Sequence, residues 1–78
     1  MSGNNYLRSM TADEYEAAFH GIDLPATAEL FPGTTVTDVP AFIESSLLLL
    51  RTVKNARQND MTKYRLDRLL EMIRQAGA

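Results

Sequence analysis

Residues 38–53, Asp38-Val-Pro-Ala-Phe-Ile-Glu-Ser-Ser-Leu-Leu-Leu-Leu-Arg-Thr-Val53, constrain the fold more than any other segment. They read as one long amphipathic helix, expected from about Val39 to Ala56. Thr37 or Asp38 can cap its start, and Pro40 sits in the first turn, where a missing N–H costs nothing. At roughly 100° per residue, Val39, Phe42, Ile43, Leu47, Leu50 and Val53 converge on one stripe. The run Leu47–Leu50 holds more leucine than that stripe can bury. Leu49 lies at the stripe's edge. Leu48 lies nearly opposite its centre, beside Glu44 and Arg51. An apolar stripe of this kind must be covered by other elements, and the rest of the chain has to supply them.

The chain has 78 residues, enough for one domain. Such a domain buries only about 60–65% of the surface its unfolded chain exposes, so its core is marginal. There is no cysteine and one histidine, His20. Disulfides, thiolate metal sites and multi-histidine sites are therefore excluded, and no cofactor is expected. Oligomerisation or tight helix packing remains as the source of extra stability. Residues 1–10 are expected to form a flexible arm docked in part through Tyr6 and Leu7, and residues 11–78 a single helical domain. The polar start lacks the apolar run of a signal peptide, and no aliphatic run approaches a membrane span. A cytoplasmic location is expected, with no membrane partner.

Helix 1 is expected from about Ala12 to His20. Thr11 and Glu14 form a capping box, each side chain able to serve the other's backbone N–H. Asp13, Glu14 and Glu16 lie where the helix dipole favours negative charge. Gly21 follows as the residue that turns the chain through a left-handed conformation. Tyr15, Ala18, Phe19 and Ile22 share one face. Residues 22–37 are not helical; Pro32-Gly33 suits the centre of a type II turn between Leu30-Phe31 and Thr35-Val36. Helix 3 is expected from about Met61 to Gln75, capped by Asn59 or Asp60 after a polar turn over residues 55–60, with Leu66, Leu69, Leu70 and Ile73 inward. The fold class is mainly α: a three-helix domain with an extended loop or short β-hairpin between helices 1 and 2. Its core is expected from Tyr15, Phe19, Phe42, Ile43, Leu47, Leu50, Leu66, Leu70 and Ile73.

No phosphate loop, dinucleotide fingerprint, nucleophile triad or zinc spacing occurs. Ser46 lies within the apolar stripe, where a small residue permits close packing and its hydroxyl can bond back to the Phe42 carbonyl. His20 reads as a capping or surface residue. Charge is divided unevenly. Residues 1–50 hold one basic and seven acidic side chains, and residues 51–78 hold seven basic and three acidic ones. The basic half could face nucleic acid through Arg51, Lys54, Arg57, Lys63, Arg65 and Arg68. On helix 3, however, Lys63 and Arg74 straddle the core face opposite Arg65 and Arg68, whereas a nucleic-acid reader aligns its cations. Nucleic acid is the weaker of the two readings.

The segments Gly21-Ile-Asp-Leu-Pro25, Leu30-Phe-Pro-Gly-Thr-Thr-Val-Thr-Asp-Val39, Phe42-Ile-Glu-Ser-Ser-Leu47 and Tyr64-Arg-Leu-Asp-Arg-Leu-Leu70 resemble a small uncharacterised domain family common in bacteria of the Bacteroides group. The resemblance spans roughly residues 12–73. It implies a single compact bacterial domain and carries no catalytic residue or substrate. A histidine is frequent in that family where this chain has Ser46. From the residues themselves, the expected function is a non-enzymatic protein-interaction module. It would engage a protein partner or a second copy through Leu48, with Met61, Tyr64 and Met72 as further contact residues. No small-molecule ligand is evident. The alternative is a nucleic-acid-associated regulator using the basic half.

Overall fold

A computed structural model describes residues 10–77. The expected arm over residues 1–10, with Tyr6 and Leu7, lies outside them except for Met10, which is half-buried against the core. Helix α1 spans Ala12–Phe19, strand β1 Ala28–Phe31, strand β2 Thr34–Val36, helix α2 Val39–Thr52 and helix α3 Ala56–Gly77. This is the expected three-helix fold, with the hairpin form of the connection between the first two helices.

Local chemistry sets most element ends. The Thr11 hydroxyl accepts from the Glu14 N–H at 3.2 Å, and the Glu14 carboxylate accepts from the Thr11 N–H at 2.7 Å. Gly21 leaves α1 at φ +84°. Asp38 caps α2 by accepting the Ala41 N–H at 3.2 Å. Gly33 takes φ +83° in the hairpin turn, where a side chain would be strained.

The boundary between the second and third helices differs from expectation. Helix α2 stops at Thr52, not Ala56, and α3 begins at Ala56, five residues before Met61. Asn55 is the cap, its side-chain oxygen accepting the Gln58 N–H at 3.0 Å. Residues 56–60 are polar, but Ala, Arg and Gln are good helix formers, and polarity alone does not make a turn. The Asn59 amide then donates to the Val53 carbonyl at 3.0 Å, closing the short connection.

The hairpin is not self-sufficient. Its strands pair Ala28 with Val36, Glu29 with Thr35 and Phe31 with Thr34, with an irregularity between Glu29 and Phe31. Leu30 sits at that irregularity and is 1% exposed. A bulge re-aims a side chain, and here it sends Leu30 into the core. The Leu30 carbonyl accepts from Arg68 Nε at 2.8 Å. Two such short strands are barely stable alone; anchoring to α3 decides in favour of a hairpin over an irregular loop.

The core contains Tyr15, Phe19, Leu30, Val39, Ile43, Leu47, Leu66, Leu69 and Leu70. Val39 and Leu69, expected on the inward faces of their helices, belong to its centre, and Leu30 is the addition from the hairpin. Phe42, Leu50 and Ile73, expected in the centre, are half-buried at its margin. Ser46 and Thr62 are buried too, and Thr62 donates to the Gln58 carbonyl at 3.0 Å, the back-bonding that lets a hydroxyl sit inside a helix bundle. The fully buried Tyr15 donates to Asp67 Oδ1 at 2.6 Å, joining α1 to α3.

Hydrogen bonds to charged groups contribute about 1.5–3 kcal/mol. Tyr15→Phe is expected to lower stability by that amount in urea unfolding, with the helical circular dichroism of the native state retained.

Candidate contact surface

The leucines of α2 divide as helical geometry requires. Leu47 is 7% exposed, Leu49 38% and Leu48 61%. Leu47 faces the core, and Leu48 projects from the outer face. Four consecutive leucines fan out over about 300°, so no single buried stripe can take them all.

Leu48 stands between two differently charged neighbourhoods. On one flank, Arg51 Nη2 donates to Asp13 Oδ1 at 2.8 Å and to Glu16 Oε1 at 2.7 Å, tying the end of α2 to the start of α1. These hydrogen bonds, Asp13 first and Glu16 next, raise the already high pKa of the guanidinium. The carboxylates stay open to solvent, with side chains 89% and 61% exposed. On the other flank, Leu49 forms part of an open cleft of about 390 Å³ at the corner between α2 and α3. The rest of its lining is Asn55, Arg57, Gln58, Met61, Thr62 and Arg65. It includes two arginines and no carboxylate.

The four expected contact residues fall into different settings. Leu48 is on the outer face of α2. Met61 is 52% exposed and belongs to the cleft with Leu49. Tyr64 is 48% exposed, but its ring stacks on Phe31 at 5.6 Å between centroids and 15° between planes. Met72 is half-buried and packs against the core. Leu49, placed by periodicity at the edge of the core stripe, is 38% exposed and shares the cleft with Met61.

The basic residues are also dispersed. Arg51 is held by Asp13 and Glu16. Arg68 binds the Leu30 carbonyl and lies 5.9 Å from the centre of the Phe31 ring. Lys63 is half-buried, Lys54 is exposed, and Arg57 and Arg65 line the cleft. Among the described residues no group of three or more His, Cys, Asp or Glu is placed to hold a metal ion. No described helix is long and apolar enough to cross a membrane.

Two substitutions separate the surface from the core. At low protein concentration, Leu48→Glu should change unfolding free energy by no more than about 0.5 kcal/mol, as an exposed site allows. Leu47→Glu buries an unpaired charge and should unfold the domain, visible as loss of the cooperative urea transition. Arg68→Met should leave the helices intact and accelerate amide hydrogen exchange in β1 and β2, because Arg68 ties the hairpin to α3.

A protein-family model described as a domain of unknown function (DUF6965) matches residues 10–75. No curated protein and no solved structure matches the chain.

Proposed function

The chain belongs to the DUF6965 domain family, and we propose that it is a non-enzymatic contact module that engages protein through a surface centred on Leu48. The supporting observation is that Leu48, 61% exposed, and Leu49, 38% exposed, leave apolar side chains on successive outward positions of α2, with Met61 lining the same cleft as Leu49. A scattered leucine on a surface means little, whereas several exposed apolar side chains at one end of a helix, rimmed by charge, are the anatomy of a contact site. The marginal core of so small a domain adds a reason to associate. Met72, covered by the fold, is not part of this surface. The proposal carries a bacterial, cytoplasmic setting of the Bacteroides group, supported by the sequence resemblance and the cysteine-free composition.

The nucleic-acid alternative has less support. Two of its six residues, Arg51 and Arg68, already spend their guanidinium groups on Asp13, Glu16 and the Leu30 carbonyl. Phosphate binding by the remaining cations would weaken steeply with salt.

A photo-crosslinking amino acid at position 48, with the exposed Thr27 as control position, tests the contact-module reading in the cells that produce the protein. Discrete protein adducts specific to position 48 are expected. Absence of any adduct that position 27 does not also give would overturn it.

A further inference from the structure

We propose that the occupant of the Leu48 surface is a second copy of this chain, docked as a two-fold dimer in which the acidic start of α1 meets the basic cleft. The proposal rests on the contact-module reading and assigns its partner. Three features lie side by side across one end of α2. Asp13, Glu14 and Glu16, offset by Arg51, leave a net charge of −2 at the start of α1. Leu48 follows, and then the cleft with Leu49, Met61, Arg57 and Arg65, whose lining carries +2. At roughly 100° per residue, Leu48 lies on α2 between Arg51 on the acidic flank and Leu49 on the basic flank.

This order suits an isologous contact. A two-fold interface pairs each residue on one side of the axis with its counterpart on the other side. Place the axis at Leu48, in the contact plane and across the line from acid to base. The two Leu48 side chains then meet at the centre. Each copy's acidic patch covers the other's cleft, so one operation satisfies both charge contacts. The parallel arrangement would set acid against acid and base against base, and like charges in register discriminate against it. A wholly different partner would need a matching pattern of its own, whereas this chain already carries both halves.

Charge exchange between copies tests the geometry. Light scattering after gel filtration of the full chain, over a wide concentration range, should show the wild type passing from monomer to dimer. Added salt should shift that transition to higher concentration, since exposed charges are screened. Asp13→Lys and Arg65→Glu alter solvent-facing positions; urea unfolding checks that both variants fold, and Arg57→Glu replaces the second if it does not. Each variant alone should dimerise at least about tenfold more weakly, because one substitution sets like charges together in both symmetric contacts. An equimolar mixture should recover dimer, since the reversed charges complement each other in the mixed pair. A wild type that stays monomeric throughout overturns the proposal. So does a dimer that neither variant weakens, or two weakened variants that the mixture does not restore. If position 48 still gives discrete adducts with other proteins in any of these cases, the contact-module reading survives and the second copy as occupant does not.

Discussion

The hydrogen bond from Tyr15 to Asp67 spans 52 residues and joins the first helix to the last. Helix α1 has eight residues, too few to persist alone in water, so its position depends on what it is docked against. Tyr15 and Phe19 bury its inner face, and the Tyr15 hydroxyl needs a partner once it is withdrawn from solvent. Asp67 provides one at 2.6 Å, which fixes where α1 lies against α3. The position of the acidic residues at the start of α1 follows from that, and with it their meeting with Arg51. The charge pattern around Leu48 is thus a surface consequence of a partly buried polar bond.

The hairpin obeys the same logic. Strands of four and three residues contribute little on their own. Leu30 supplies apolar burial, and Arg68 supplies the carbonyl partner that the strand irregularity leaves to be found outside the hairpin. The Phe31 ring, stacked on Tyr64, covers the same side. One arginine of the apparently basic helix is therefore structural, and a second, Arg51, joins α1 to α2. Assigning cations to a nucleic-acid surface by charge alone would have counted both as available.

Much of the fold was legible because the signals are local. Thr11 with Glu14, Asp38 with Ala41, and the left-handed glycines 21 and 33 act within a few residues of themselves, so their types and spacing suffice. The exposure of the α2 leucines was legible in part. Four consecutive leucines must leave some outside, and Leu48 is the most exposed of them. Met72 and Tyr64 were harder to place from periodicity, because a flank of a helix can be covered by an element distant in sequence. The start of α3 was misplaced for a different reason: polarity suggested a turn over residues 55–60, while helix propensity and the Asn55 cap extend the helix through them.

By itself the sequence determined the number of helices, the capping chemistry of the first two, the turn at Pro32-Gly33 and the exposure of Leu48 on α2, since each depends on neighbours within about one helical turn or one tight turn. The tertiary structure alone decided that Leu30 enters the core, that Tyr15 bonds Asp67, and that Arg51 and Arg68 are committed to α1 and the hairpin. It also brought Leu49 and Met61 to one cleft. Those pairings join residues far apart along the chain, and no periodic pattern encodes them. They arise because short elements without stability of their own settle where burial and hydrogen-bond satisfaction can be met together.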